Sequence, residues 1–384
     1  MLQKNESQNP VLSVVMPCLN EEETIGECIR KIKLSFSESN IDGEILVCDN
    51  GSTDRSVTIA TEMGARVVHE PKRGYGNAYQ TAFKNARGKY FIMADADNTY
   101  DLSQIHQFLS KLNDGYEFVT GSRYLSPEGK KNIARSHRII GNPMITALLN
   151  YFFGVKYSDV YCGYRAFTRE AYEKIAPVSP GMEFNLELAV NAWKSGLKIT
   201  EIPIVLGPRK GVAKLRTMRD GWRSLRMMLL YSPNKVFLWP GLFLLLTGII
   251  AHLVLLIVPF FYDGRFPGNV TAIFATIFSV VGFQILALGL YAKSYSWSRR
   301  FEKDNKALDK FYKFFKLETG IILGVSMLLA GLIIIGWTIV QWINLDYYPI
   351  PHPEWVSFAG TLIILGTNVL FSSLFISAMS MKKS

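Results

Sequence analysis

Two aspartates one residue apart, Asp95 and Asp97, follow the apolar run at residues 90–94. Carboxylate oxygens are the ligands that Mg²⁺ and Mn²⁺ prefer, and Mg²⁺ sites often combine one or two carboxylates with substrate phosphates. The pair therefore indicates a metal–diphosphate site. The same spacing also occurs in turns and helix caps that bind no metal, so the surrounding elements have to decide between the two interpretations.

Strand patterns alternate with helix patterns along the first third of the chain. The predicted strands lie at residues 12–16, 44–48, 66–68, 90–94 and 118–120, with helices between them. This alternation predicts an α/β, Rossmann-like fold with a mostly parallel sheet. Ligands of such sheets bind at the carboxyl ends of the strands. Because Asp49 and Asp95 both follow strands, we expect them to meet one ligand.

Residues 124–215 have a less regular pattern. We expect a helix at residues 135–153, interrupted at 141–143, a second helix at 182–194, and a strand at 199–206. Residues 216–230 alternate cations with large apolar side chains, which predicts a helix lying on a membrane surface.

Four apolar runs follow, and none contains an Asp, Glu, Lys or Arg. They cover residues 236–262, 270–292, 319–343 and 355–379. Each exceeds the roughly 20 residues that a helix needs to cross a bilayer. The sequence therefore predicts three regions: a catalytic domain at 1–215, an interfacial region at 216–235, and an all-α transmembrane domain of four helices at 236–384.

Basic residues are unevenly distributed among the segments that flank these runs. Residues 209–235 and 293–316 each carry eight Lys or Arg, whereas residues 263–269 and 344–354 carry almost none. The positive-inside rule then places the catalytic domain, the 293–316 loop and the C-terminus in the cytoplasm of a multi-pass membrane protein. The net charge of +10 comes largely from these segments, so we expect an anionic lipid partner and no nucleic acid.

Six motifs occur in a fixed order along the first 215 residues. They lie at residues 17–21, 49–54, 95–97, 121–124, 159–165 and 207–215. In this order and spacing the chain resembles glycosyltransferase family 2. Within that family it is most similar to the polyprenyl-phosphate hexose synthases, which are relatives of dolichol-phosphate mannose and glucose synthases.

The resemblance implies a GT-A fold, a UDP- or GDP-linked sugar donor, a Mg²⁺ or Mn²⁺ cofactor, a polyprenyl or dolichyl monophosphate acceptor, and inversion at the anomeric carbon. It also implies roles for individual residues. The implied nucleotide contacts are Pro17, Leu19, Glu21, Asp49, Asn50, Asp95 and Ala96. The implied metal ligands are Asp95 and Asp97, and the implied catalytic residues are Asp97, Arg123, Arg138 and Arg209.

Two positions depart from the family pattern. Asn50 stands where the family commonly has a second aspartate, and Thr99 stands where the mannose synthases have a glutamine. An amide offers both a donor and an acceptor, so Asn50 does not identify the base. The sequence therefore leaves the sugar and the nucleotide open. It also leaves open the prenyl chain length, the oligomeric state (a homo-oligomer included) and whether Glu183 or Glu187 is catalytic.

Two other functions compete with this interpretation. The first is a processive polysaccharide synthase, but residues 219–223 lack the Gln-x-x-Arg-Trp motif of that class. The second is a membrane scaffold with a degenerate transferase domain, which the intact Asp95, Asp97 and Arg123 disfavour.

The charge asymmetry gives a testable topology. In sealed cells, a membrane-impermeant thiol reagent should modify a Tyr348→Cys protein and leave a Lys306→Cys protein unlabelled, because the first position lies in a loop poor in cations and the second in a basic loop. The opposite labelling pattern would contradict a cytoplasmic catalytic domain.

Overall fold

The computed structural model describes most of the chain and divides it into two compact units, Met1–Met227 and Met228–Ser384. The described residues are 9–131, 133, 138, 141–207, 222–223, 225–226, 228–229, 234–257, 268–298, 317–346 and 353–380. Most of the predicted interfacial region, and Arg209 with it, lies outside them.

Among the described residues of the first unit, seven strands form one sheet. They are β1 (Leu12–Cys18), β2 (Gly43–Asp49), β3 (Arg66–His69), β4 (Tyr90–Met93), β5 (Phe118–Ser122), β6 (Arg165–Thr168) and β7 (Ile199–Pro203). The strand order is β3-β2-β1-β4-β6-β5-β7. All pairs are parallel except those that β6 makes with β4 and β5. The predicted mostly parallel α/β sheet is therefore confirmed.

Among the described residues of this unit, seven α-helices with defined bounds accompany the sheet. They are α1 (Ile25–Glu38), α2 (Ser56–Glu62), α3 (Tyr75–Asn85), α4 (Ile105–Asn113), α5 (Asn142–Phe153), α6 (Arg169–Ile175) and α7 (Phe184–Lys194). One hydrophobic cluster packs α1 and α4 on one face of the sheet, and a second packs α3, α6 and α7 on the other. The central strands are buried on both faces because helices cover both.

In the first unit, two element boundaries differ by three residues or more from those that the sequence predicts, and the others agree or differ by one or two. The strand expected at residues 199–206 ends at Pro203, which has no N–H to donate, and the chain then makes an isolated bridge between Leu206 and Tyr100. The four-residue strand β6 was not predicted. Within the described residues, the helix expected at 135–153 is α5, which begins at Asn142 with Pro143 in its first turn.

In the part of the second unit that the structure describes, four helices are long and apolar enough to cross a membrane, as predicted. They are α8 (Trp239–Ile257), α9 (Gly268–Ser298), α10 (Leu317–Asn344) and α11 (Pro353–Ser380). Helices α10 and α11 approach closely at Gly324 and Gly366, where an added Cβ on Gly366 would lie 2.7 Å from the Gly324 carbonyl oxygen. Small residues at such contacts are typical of helix packing in membranes.

Candidate active site

The ends of three adjacent strands bring the predicted acidic residues to one edge of the sheet. Strand β1 lies between β2 and β4, and its last residue, Cys18, pairs with Asp49, the last residue of β2. Asp95 follows the end of β4 by two residues. Because these strands are parallel, their carboxyl ends lie side by side, where sheets of this class bind ligands.

Asp49 shapes the loop that follows β2. Its carboxylate accepts hydrogen bonds from the backbone N–H groups of Ser52, at 2.9 Å, and Gly51, at 3.2 Å. The Nδ1 atom of His69 lies 3.2 Å from Asp49 Oδ2. Burial raises the pKa of Asp49, but the hydrogen bonds from Ser52, His69 and Gly51 outweigh it and lower the pKa below its ordinary value. The group is therefore an anion at neutral pH.

Asn50 ties the basic loop before α3 to the end of β2. Its Nδ2 donates to the carbonyl oxygens of Glu70, at 2.8 Å, and Lys72, at 2.9 Å. Its Oδ1 accepts from the N–H of Gly74 at 2.8 Å. Three of the hydrogen bonds that the amide can make are thus taken by the protein. The contacts support a loop-anchoring role, and base recognition by Asn50 stays a prediction from the sequence.

Gly74 and Gly76 allow α3 to begin against another loop. Gly74 has φ of +146°, and an added Cβ would lie 2.3 Å from the carbonyl oxygen of Pro180. At Gly76 an added Cβ would lie 2.0 Å from the carbonyl oxygen of Ser179. No side chain fits at such distances from backbone, so both positions require glycine.

Tyr75, between these glycines, holds the first aspartate of the pair. Its hydroxyl donates to Asp95 Oδ1 at 2.9 Å, and the hydroxyl of Tyr79 lies 3.4 Å from the same oxygen. Burial, together with the negative charge of Asp95, raises the pKa of Tyr75 well above its ordinary value. The phenol therefore stays protonated and remains a donor to the carboxylate. Asn185 Nδ2 lies 3.4 Å from the Tyr75 hydroxyl and extends this network to α7.

Asp97 is buried in the turn that follows β4. Its Oδ1 accepts from the backbone N–H of Thr99, at 3.1 Å, and from the Thr99 hydroxyl, at 2.6 Å. Gly207 N–H donates to the Thr99 carbonyl at 2.8 Å, so the segment that leads toward Arg209 is anchored beside this turn. Asp97 thus makes the turn-capping contact that was the alternative interpretation of its sequence position. It makes this contact at the edge of the sheet where a ligand would bind.

The remaining predicted nucleotide contacts surround the same edge. Pro17 lies within β1, and Leu19 follows the end of that strand; both are half-buried. The backbone N–H of Glu21 donates to the Ser56 hydroxyl at 2.7 Å, and the Glu21 carboxylate accepts from the Thr24 hydroxyl at 3.2 Å. Ala96 is buried between the two aspartates, and its carbonyl oxygen lies 3.5 Å from the sulfur of Cys28.

Arg123 forms a buried ion pair that the sequence analysis did not identify. Its Nε and Nη2 donate to the two carboxylate oxygens of Asp159, at 2.5 and 2.7 Å. The Asp159 side chain is fully buried, and that of Arg123 is 14% exposed. Burial lowers the pKa of Arg123, but the charge of Asp159 outweighs it, and the net shift is upward. The pair fixes the orientation of the guanidinium at the end of β5.

The structure gives less information on the side chains of the other two predicted catalytic arginines, Arg138 and Arg209. Arg138 is half-buried, and its carbonyl oxygen accepts from the Tyr124 hydroxyl at 3.3 Å. Arg209 lies outside the described residues. Arg165, which belongs to the 159–165 motif, has a structural role: its guanidinium donates to the carbonyl oxygens of Cys162, Val160 and Asn185.

Glu183, which precedes α7, and Glu187, in the first turn of that helix, differ in their surroundings. Glu187 accepts hydrogen bonds from the backbone N–H groups of Val178 and Ser179, which is a structural contact. Burial raises the pKa of Glu187 despite these bonds. Glu183 Oε2 is buried with no hydrogen-bond partner among the described residues. The contacts therefore leave Glu183 as the candidate for a substrate contact.

The chain matches two known families along its length. Residues 13–176 match the family described as "Glycosyl transferase family 2". Residues 290–380 match the "Glycosyltransferase family 2 C-terminal transmembrane region". With the four apolar helices, the second match identifies a membrane protein.

Individual proteins also resemble the chain. The "Low-salt glycan biosynthesis hexosyltransferase Agl6" of Haloferax volcanii is 35% identical over 375 residues, covering 96% of this chain and 89% of that protein. The "Dolichyl-phosphate hexose transferase" of the same organism is 33% identical over 211 residues, covering 55% of this chain and 89% of that protein. Among solved structures, glucosyl-3-phosphoglycerate synthase from Mycobacterium tuberculosis is 24% identical with a TM-score of 0.46, covering 58% of this chain and 78% of that one.

The similarity to the first of these proteins extends over nearly the whole of both chains, and the sheet has the GT-A arrangement that the motifs imply. The chain belongs to glycosyltransferase family 2.

Proposed function

We propose that the protein transfers a hexose from a nucleotide-sugar to a polyprenyl or dolichyl monophosphate, with inversion, at the cytoplasmic face of the membrane. The observation that carries the proposal is the shared edge of β1, β2 and β4, where Asp49 and the Asp95–Asp97 turn lie on either side of the end of β1. The names of the two Haloferax volcanii relatives, a hexosyltransferase and a dolichyl-phosphate hexose transferase, support the same class of reaction.

The nucleotide would bind along this edge, with its nucleoside toward β2 and its diphosphate toward the aspartate pair. Asp49, Glu21 and the half-buried Leu19 line the nucleoside end. Each carboxylate offers about four acceptor positions, so Asp49 can hold its loop and still accept from a nucleoside hydroxyl. Asn50 would act indirectly, by holding the Lys72–Gly74 loop against the end of β2.

The aspartate pair fits a divalent ion that is shared with substrate. Two carboxylates from one turn form the small set of hard ligands that Mg²⁺ and Mn²⁺ accept when diphosphate oxygens supply the rest. Among the described residues, no group of three or more His, Cys, Asp or Glu side chains lies close enough to hold an ion. A bound divalent ion supplies Lewis-acid neutralisation of the leaving diphosphate. The chain's own part is to orient Asp95 through Tyr75 and Asp97 through Thr99.

The acceptor needs little activation by the protein. A phosphomonoester has a second pKa of about 6, so a lipid monophosphate is already anionic near neutral pH and can attack the anomeric carbon without a strong general base. The protein has to hold two anionic groups close together instead. Arginines suit this task because the guanidinium makes paired hydrogen bonds to phosphate oxygens.

Arg123 is the best-defined of these arginines. A guanidinium carries five N–H donors, and two of those on Arg123 bind Asp159. The remaining N–H donors can bind a phosphate while Asp159 fixes the plane of the guanidinium. Arg209 comes two residues after Gly207, whose N–H is bonded to Thr99. Two residues of extended chain span about 7 Å at most, so the Arg209 backbone cannot lie far from this turn. Arg138 completes the proposed set.

The two competing functions predict different products. A processive synthase would extend a polymer, whereas the proposed enzyme would stop after one hexose. A scaffold would form no product with any nucleotide-sugar. Family membership favours a transferase, and the chemical nature of the product separates the first two functions.

The metal-binding role of Asp97 can be tested against a matched control. Asp101 caps its turn with the same pair of hydrogen bonds that Asp97 makes to Thr99: its Oδ1 accepts from the Ser103 N–H at 3.1 Å and from the Ser103 hydroxyl at 2.7 Å. We expect Asp97→Asn to abolish transfer, because an amide oxygen is a neutral and poorer ligand. Asp101→Asn should retain nearly full activity. The measurement is lipid product formed per minute by each purified full-length protein, with and without EDTA.

Equal activities of the Asp97→Asn and Asp101→Asn proteins would mean that Asp97 only caps a turn. Wild-type activity that survives EDTA would contradict the metal assignment independently.

The Arg123–Asp159 pair gives a prediction that separates stability from catalysis. Arg123→Ala should destabilise the protein by about 3–5 kcal/mol, since it leaves the buried Asp159 carboxylate unpaired. Adding Asp159→Asn should recover part of that loss, because the amide carries no charge, but it should not recover transfer. Thermal unfolding in detergent and turnover would be measured for both proteins. Near-normal turnover of the double variant would remove Arg123 from the reaction, and unchanged stability of Arg123→Ala would contradict the buried pair.

A further inference from the structure

The turn that carries the aspartate pair is bonded to helix α1 at two points. The thiol of Cys28, which is fully buried, donates to the Ala96 carbonyl oxygen at 3.5 Å. Lys31 Nζ donates to Asn98 Oδ1 at 2.8 Å. Cys28 and Lys31 are three residues apart and so lie on one face of the helix. Helix α1 therefore holds the residue before Asp97 and the residue after it.

Asn98 has a backbone conformation that few side chains tolerate. Its φ is +59°, in the left-handed region that asparagine enters more readily than most residues other than glycine. The ammonium of Lys31 makes a charge-assisted hydrogen bond to its amide, which is stronger than a bond between neutral groups. A Cβ added to Gly207 would lie 3.5 Å from the Asn98 carbonyl oxygen. Asn98 thus lies between α1 and the segment that leads toward Arg209.

The part of α1 that carries Lys31 is firmly packed. Cys28, Ile29 and Ile32 are fully buried in the hydrophobic cluster on this face of the sheet. Lys31 itself is half-buried, whereas Lys33 on the same helix is exposed. Because the helix is fixed by its buried face, the hydrogen bond from Lys31 fixes the position of Asn98 relative to the sheet.

We propose that Lys31 is a positioning residue for the divalent ion: by holding Asn98, it fixes the turn from which Asp97 reaches the metal and the diphosphate. The inference rests on the proposed function, since it requires that Asp97 bind the ion. Removal of groups that orient a metal ligand typically weakens metal binding about 10–100-fold. Loss of the ammonium charge by itself would favour a bound cation, so weaker binding by a Lys31 variant would report lost orientation.

Manganese binding to the purified full-length protein can test this role. Electron paramagnetic resonance would measure free Mn²⁺ during titrations in the presence of UDP and, separately, of GDP. Lys31→Met keeps an unbranched side chain but removes the ammonium, and it should raise the Mn²⁺ dissociation constant about tenfold. Lys31→Arg keeps a charged donor and should restore most of the affinity. Lys33→Met removes the same charge from an exposed position of α1 and should bind Mn²⁺ like the wild type.

The Asn98→Gly variant tests whether Lys31 acts through Asn98. Glycine adopts the left-handed conformation without strain but offers no side-chain acceptor. Substitutions of two residues in contact are not additive when they remove the same interaction. Adding Lys31→Met to the Asn98→Gly protein should therefore leave its Mn²⁺ dissociation constant unchanged.

Turnover at saturating Mn²⁺ separates lost orientation from a general loss of structure. Lys31→Met should approach wild-type turnover there, and a rate that stays low would overturn the inference. Unchanged or tighter Mn²⁺ binding by Lys31→Met, or additive effects of the two substitutions, would also overturn it and leave the metal assignment of Asp97 intact. A wild-type protein that binds no Mn²⁺ would contradict the metal assignment itself, and this inference with it.

Discussion

The hydrogen-bonded pairing of β1 with β2 on one side and β4 on the other is the constraint on which the site depends. Its register places Cys18 opposite Asp49, while Val15 pairs with Met93 two residues before Asp95. A slip of one residue would reverse the faces of every side chain in a strand. Because β1 is buried on both faces, such a slip would also disrupt both hydrophobic clusters. Core packing therefore determines which residues reach the ligand edge.

The segment Gly74–Tyr75 then connects the two acidic ends across β1. Its backbone bonds to Asn50 after β2, and its phenol bonds to Asp95 after β4. The close approach of the 179–180 backbone, which only glycine permits at positions 74 and 76, holds this segment in place. Asp95 is thus oriented by a neutral donor before any substrate binds, and groups oriented in advance need not reorganise when charge develops.

Much of the fold and part of the site could be predicted from the sequence. Strand–helix alternation gave the parallel sheet, and the carboxyl-end rule put Asp49 and Asp95 on one edge. The Arg123–Asp159 pair could not be predicted, because it joins residues that are 36 apart in sequence. Asp159 reaches Arg123 from the loop before β6, and β6 is the unpredicted strand that lies antiparallel between β4 and β5. The contacts of His69 and Tyr75 were also missed, since they depend on strand order and on close approach between loops.

The chemical identity of the product tests the central claim most directly. Purified full-length protein would be incubated with a panel of UDP- and GDP-hexoses and a polyprenyl monophosphate, and the lipid fraction would be analysed by mass spectrometry and for anomeric configuration. The account predicts a polyprenyl phosphate that carries one hexose, with the anomeric configuration inverted relative to the donor. A polymer, a retained configuration, or the absence of lipid-linked sugar with every donor would contradict it.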